Sequence, residues 1–254
     1  MSTTDLRAID YVRSILGMLV FFIIFLIATP VILALLIISF GRATNLIVEQ
    51  VAPLMVKPVL WISGIDFSIK LHNDANEIPH PAVYIINHSS TVDLLTILAL
   101  GLPRARFVAK WELQYNPIFF LLGHITGQVF IKRQNSERAV ATLKNVYKRI
   151  KSNELSILLA PEGSRKHPGV IGPFKKGPFH MAMDLDYPIV PIYFEGNREL
   201  SSGGSLMVRA GKAVGHVHQQ IDTSGWTAEN IDRHIAEVRQ LYLNWAGVED
   251  DDIV

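Results

Sequence analysis

Hydrophobic and polar positions divide the chain into two unequal parts. From Ile15 to Phe40 (ILGMLVFFIIFLIATPVILALLIISF) no charged residue interrupts the apolar run. As one helix this run would extend ~39 Å at ~1.5 Å per residue, longer than a ~30 Å hydrocarbon core. It therefore reads as membrane-embedded and must tilt or break. Thr29 and Pro30 sit near its middle. Pro30 has no backbone N–H to donate and disfavours helix at Thr29, so a kinked transmembrane helix and a re-entrant hairpin of two short legs fit the pattern equally. Leu46 to Ile62 (LIVEQVAPLMVKPVLWI) mixes apolar residues with Glu49, Pro53, Lys57 and Pro58. That mixture suits a broken amphipathic segment, lying at the membrane interface or packed on the following domain. A cleaved signal peptide is disfavoured, because the run is about twice the usual ~7–15-residue apolar core and no A-x-A site follows.

From about Ile65 the period changes. Val83 to Asn87 (VYIIN), Gln128 to Lys132 (QVFIK), Leu155 to Ala160 (LSILLA) and Ile189 to Phe194 (IVPIYF) predict strands. Pro191, inside the last of these, predicts an edge or a bulge. Leu94 to Leu100 is an apolar helix, Ser136 to Ser152 has helical spacing after a Ser136 cap, and Thr227 to Ala246 repeats Ile231, Ile235, Val238, Leu241 and Trp245 on one helical face. Near-continuous apolar strands alternating with helices predict an α/β fold: a mostly parallel central sheet flanked by helices, preceded by the membrane-embedded helical segment. The chain divides into an N-terminal membrane anchor over 1–64 and a second domain over 65–254. The acidic end Glu249 to Asp252 reads as a solvated terminus.

Charge and composition remove several classes of function. Lys and Arg total 24 against 23 Asp and Glu, so nothing points to nucleic acid as a partner, and any basic site must be local. The absence of cysteine excludes disulfides, thiolate metal sites and cysteine nucleophiles. Arg7 and Arg13 precede the apolar run while Arg42 and Lys57 follow it, so charge alone does not orient the anchor.

Four short blocks carry candidate chemistry. In NHSSTVD (Asn87 to Asp93), a strand ends and a helix begins. On one continuous helix His88 and Asp93 would lie about 140° apart and would not meet. With Ser90 as N-cap, Asp93 becomes the third helical residue, and its carboxylate folds back toward His88 in the preceding turn. A carboxylate holding one imidazole nitrogen leaves the other free as a general base. The plainer alternative is a capping box beside a turn histidine. APEGSRK (Ala160 to Lys166) follows another strand, where Glu162 and Arg165 flank Gly163, which permits close backbone approach, and Ser164; Arg165 can hold phosphate oxygens in bidentate fashion. EGSRK lacks the GxSxG elbow, so Ser164 is not read as a hydrolase nucleophile. The basic pair Lys132 and Arg133 ends a third strand, and Lys175 and Lys176 in FKKG are candidate contacts to a nucleotide-bearing acyl donor. Each of these blocks is equally a solvated turn when taken alone.

Taken in order, HSSTVD at His88, FIKR ending at Arg133, PEGSR at Pro161 and IVPI at Ile189 resemble the four blocks of the glycerolipid acyltransferase family. Within it, the branch most similar is the bacterial 1-acyl-sn-glycerol-3-phosphate, or lysophosphatidate, acyltransferases. The resemblance spans roughly Val83 to Phe194. It implies that His88 is the catalytic base and Asp93 the acid that orients it. It also implies that Arg133, Glu162, Gly163, Ser164 and Arg165 bind a glycerol phosphate, and that Pro191 serves the acyl donor or the structure. Ala160 stands where an aromatic is frequent, Ser164 where threonine is usual and Lys132 where an acidic residue is common. The implied reaction takes an acyl group from acyl-CoA or acyl carrier protein, as co-substrate, to a membrane lipid acceptor, with no bound cofactor and no metal. Lyso-ornithine lipid, another lysophospholipid and glycerol 3-phosphate are rival acceptors, and a non-catalytic lipid-binding protein is the rival of another class. Such donors are cytosolic, which places the expected catalytic domain on the cytoplasmic side of the inner membrane.

Overall fold

The computed structural model of the chain describes residues 6–131, 145–163, 170–201 and 204–249. The long apolar run is one helix, α1 (Ala8–Ile38), with Pro30 inside it. No break appears at Thr29–Pro30, so this run does not fold into two short legs. The chain reverses at residues 39–43 instead and returns as α2 (Thr44–Ile62), which is α-helical at both ends with a π turn over Ile47–Val51. Ile32 and Leu36 of α1 pack against Ile47, Val51 and Met55 of α2. Nearer the start of α1, Gly17 lies against Ser63 at the end of α2, where an added Cβ would stand 2.1 Å from Ser63 Oγ and the serine would have to turn aside.

The hairpin is bolted to the second domain by polar contacts. Ser14 Oγ accepts from Val208 N at 2.9 Å, and Glu49 Oε1 accepts from Arg104 N at 2.9 Å. Arg106, buried in β3 (Ala105–Lys110), donates to Asn45 Oδ1 at 2.8 Å. Val56 and Leu60 of α2 pack with Ile65, Val92 and Ala99. The outer face of α1 has no such cover: Phe22, Leu26, Ile27 and Ile37 are exposed, as is Phe40 in the reversal that follows, by 87%.

The described residues form one sheet of seven strands in the order β1-β7-β6-β2-β5-β3-β4. The further strands are β1 (Ile65–His72), β2 (Val83–Ile86), β4 (Val129–Ile131), β5 (Ser156–Leu159), β6 (Ile189–Glu195) and β7 (Gly211–His218). Only the β6–β7 pair is antiparallel. The other helices are α3 (Asp93–Leu100), α4 (Pro117–Ile125), α5 over 145–152, α6 (Gly177–Leu185), α7 (Asn197–Leu200) and α8 (Ile231–Ala246).

Central strands are buried on both faces, which explains their unbroken apolar runs. Val83, Ile85, Ile157 and Ile189 face Phe179, Leu185, Ile231 and Tyr242 on one side. Tyr84, Ile86, Leu158 and Val190 face Ile97 and Leu100 of α3 on the other. Strands β1, β3 and β7 were not predicted. In β1 and β7 polar residues alternate with apolar ones, as in GKAVGHVH of β7, because one face of that part of the sheet is only partly covered. The helix predicted over 136–152 is described only from residue 145, and the one predicted from Thr227 begins at Ile231 after a turn in which Thr227 N donates to Asn230 Oδ1.

Candidate active site

β2 ends at Ile86, yet the pairing with β6 continues through a side chain. Asn87 Oδ1 accepts from Phe194 N at 2.7 Å while its Nδ2 donates to Phe194 O at 3.0 Å. The amide replaces one rung of the ladder and leaves the backbone free to turn outward at His88. The turn is closed by Asp93, the first residue of α3. Its Oδ2 accepts from Ser89 N and Ser90 N, both at 2.9 Å, and stands 2.9 Å from His88 Nδ1. Ser90 Oγ in turn accepts from Val92 N at 3.1 Å. Together these bonds resemble a capping box begun at Ser90, two residues before the regular helix cap, with Ser90 Oγ receiving the second N–H in place of the third. Capping and histidine orientation are thus not alternatives, because one carboxylate oxygen serves both.

With Nδ1–H directed at Asp93, the lone pair of His88 is on Nε2. The His88 side chain is 30% exposed and that of Asp93 only 1%, so the imidazole is reachable while its partner is not. Beneath it lies Glu162. Its Oε1 accepts from His88 N at 2.9 Å and its Oε2 from Gly172 N at 3.0 Å. Burial pushes the Glu162 carboxyl above the usual range, and the two backbone donors pull against that shift. Both oxygens of Glu162 are therefore spent on the main chain, tying the histidine turn to the loop before α6.

The remaining candidates distribute unevenly. Gly163 takes a left-handed φ of +68° directly after Glu162, a turn that favours glycine. Arg133, Ser164 and Arg165 lie outside the described residues, as does Lys132. Lys175 is exposed, and its backbone N–H donates to Pro161 O at 2.9 Å. Lys176 Nζ is held 2.6 Å from Asp232 Oδ1 at the start of α8. Pro191 is buried in the sheet interior, contrary to the edge its sequence suggests. The β6–β7 ladder begins at Ile192, and a separate bridge joins Ile189 to Ile221, so Pro191 falls between them where no N–H is required. On its other side, Tyr242 Oη inserts between β6 and β2, accepting from Ile192 N at 3.1 Å and donating to Ile85 O at 2.7 Å. The predicted irregularity is present, inside the sheet and bridged by a hydroxyl.

Asn87, Tyr242 and Asn197 escape a motif reading. Asn197 is fully buried and donates through Nδ2 to Asp93 Oδ1 at 2.8 Å. Asn87 could have been found as the polar residue closing an apolar strand. Asn197 offered only its place directly after the strand that ends at Glu195. Among the described residues, no group of three or more His, Asp or Glu side chains is arranged to hold a metal ion.

The arrangement is that of an acid-oriented imidazole at the C-terminal ends of parallel strands, where open α/β sheets place their ligands. A family model described as Acyltransferase matches residues 68–195, which contain His88, Asp93 and Glu162. A 1-acyl-sn-glycerol-3-phosphate acyltransferase of Haemophilus influenzae is 32% identical over 66% of this chain and 69% of its own length. That of Cocos nucifera is 31% identical over 73% of this chain, which spans 59% of the plant protein, and that of Limnanthes douglasii is 30% identical with 65% of its length spanned. The crystal structure of the 1-acyl-sn-glycerophosphate acyltransferase PlsC from Thermotoga maritima shares the fold, with a TM-score of 0.70 at 23% identity over 93% of this chain and 98% of that one. From the family-model match and the relatives at 30% identity and above, the chain belongs to the acyltransferase family.

Proposed function

We propose that this chain transfers an acyl group from acyl-CoA or acyl carrier protein to the sn-2 hydroxyl of 1-acyl-sn-glycerol 3-phosphate, giving phosphatidate. The observation that carries the proposal is the 2.9 Å contact of His88 Nδ1 with Asp93 Oδ2, which leaves Nε2 at the open edge of the ring. In this reading Nε2 takes the proton of the glycerol hydroxyl as its oxygen bonds to the thioester carbonyl carbon. The tetrahedral adduct collapses, the C–S bond breaks, and the imidazolium returns the proton to the leaving thiolate. Asp93 stays ionised and stabilises the imidazolium. A positioned base contributes typically ~10²–10⁴-fold, so alignment of the two substrates and stabilisation of the oxyanion supply the rest.

Arg133, Gly163, Ser164 and Arg165 are the groups we assign to the acceptor's phosphate. Glu162 is assigned to holding the His88 main chain. The exposed apolar face of α1 supports burial in a bilayer, where acceptor and product both reside, and residues 1–64 act as the anchor of a catalytic domain over 65–254. Thioester donors of this kind are cytosolic, so the catalytic domain faces the cytoplasm of an inner membrane.

The test crosses two donors, labelled acyl-CoA and acyl carrier protein, with a panel of acceptors, using the full chain in detergent. Labelled phosphatidate from lysophosphatidate is the expected product. Transfer only to lyso-ornithine lipid, another lysophospholipid or glycerol 3-phosphate would overturn the acceptor assignment. Release of free fatty acid alone would make the protein a hydrolase, and no turnover of any kind would favour a lipid-binding role.

A further inference from the structure

Asp93 has two oxygens, and the motif residues account for only one of them. Oδ2 receives His88 Nδ1–H and the backbone donors of Ser89 and Ser90. Oδ1 receives Asn197 Nδ2 at 2.8 Å, from a residue placed in chain order beyond all four blocks. We propose that Asn197 is a positioning residue for the acyl transfer, holding the Asp93 carboxylate in the plane that His88 needs and drawing off part of its charge. The proposal rests on the general-base reading of His88.

Local chain geometry places this amide deliberately. β6 ends at Glu195, and Gly196 follows with φ +86°, where a Cβ would stand 2.4 Å from Lys212 O. That left-handed residue, pressed against β7, turns the chain so that Asn197 enters the core at 0% exposure. A carboxylate accepts and never donates when ionised, so the amide must offer Asp93 its NH2. The second N–H goes to Thr96 Oγ1 at 2.9 Å. Both donors of Asn197 are thereby used, while its Oδ1 is buried without a hydrogen-bond partner among the described residues.

An unpartnered buried carbonyl costs stability, and an apolar side chain of the same size would avoid that cost but leave the buried Asp93 Oδ1 without this donor. Packing therefore does not explain an asparagine here, whereas orientation of Asp93 does. A donor on Oδ1 disperses the carboxylate's charge and weakens its hold on the protonated imidazole. Without it, the imidazolium is favoured and His88 becomes a base only at higher pH.

The test uses N197L, which fills the volume without a donor, and N197D, which replaces the donor by an acceptor, in the full-length enzyme. For N197L we expect kcat to fall on the order of tenfold or more, KM for the lysolipid to stay within about threefold, and the acid limb of kcat/KM to move to higher pH. A purely packing role would change the melting temperature and leave that limb in place. N197D decides the matter if N197L does not fold. At pH 8 it should turn over at least about tenfold more slowly than the parent, recovering as the pH falls and the two carboxylates share one proton. Parental kcat and an unmoved pH profile in whichever variant folds would overturn the proposal. H88A separates the two claims: if it is inactive while N197L behaves as the parent, only the role of Asn197 is lost, whereas an active H88A removes the general-base reading beneath it.

Discussion

At the scale of single residues, the site is built from short-range bonds that a sequence displays and long-range bonds that it does not. His88 and Asp93 are five positions apart, and the meeting of strand and helix signals between them was enough to place the folded-back carboxylate. Glu162 reaches His88 across 74 positions, and Asn197 reaches Asp93 across 104. No periodicity or capping rule spans such distances, so the main-chain bonds of Glu162 to His88 and Gly172 could not be read from its motif. Asp93→Asn should uncouple the two duties of that side chain. An amide can present NH2 to His88 Nδ1, which forces the proton to Nε2 and removes the free lone pair; activity should drop on the order of 10³-fold or more, with about 1 kcal/mol lost from the cap. Steady-state rates and a thermal melt check both values.

A second residue-scale prediction lies far from the chemistry. His218 stacks on Trp245 with ring centroids 3.6 Å apart and neighbours His72 and His216, and burial followed by these two imidazoles lowers its pKa to about 4. A histidine whose folded pKa lies below its unfolded value of ~6.5 stabilises the neutral fold above pH 6.5, and that contribution is lost as pH falls from about 6.5 toward 4. His218→Phe keeps the stacking and removes the titration. Its melting temperature should therefore decline less than the parent's between pH 6.5 and 4.5, and parallel declines would contradict the assignment.

Elements were legible where burial was uniform. The central strands β6, β2 and β5 announced themselves as apolar runs because helices cover both of their faces, whereas β4, at the sheet edge, showed only as the short run QVFIK. β1 and β7 did not, because one of their faces carries the polar side chains of Lys70, His72, His216 and His218, which dilute the apolar signal. Pro191 correctly marked a disturbed ladder but not its location, since the compensating group, Tyr242, comes from a helix at the far end of the chain. Tyr242→Phe should leave Ile192 N and Ile85 O buried and unpaired, lowering stability by about 1–3 kcal/mol with little change of volume. Chemical denaturation measures this directly, and an unchanged midpoint would mean that β2 and β6 close the gap themselves.

For the molecule as a whole, the apolar hairpin and the acid-oriented imidazole belong together. α1 is bonded through Ser14 to the segment before β7, and α2 packs beneath α3, the helix that begins with Asp93. The apolar segment was evident in the sequence as a run without charge; that it folds back as α1 and α2, and not within itself at Pro30, depended on packing between Ile32, Leu36 and Ile47 that no local rule encodes. A bilayer holding the bare face of α1 would keep the lysolipid hydroxyl and the imidazole at one depth, and the central claim is that His88 Nε2 takes that hydroxyl's proton. The most direct measurement is the single-turnover rate of acyl transfer to lysophosphatidate by His88→Gln in vesicles, alongside lysolipid binding and a thermal melt. The rate should fall ~10²–10⁴-fold with binding and melting temperature retained. Transfer at the parental rate by the folded variant would contradict the mechanism.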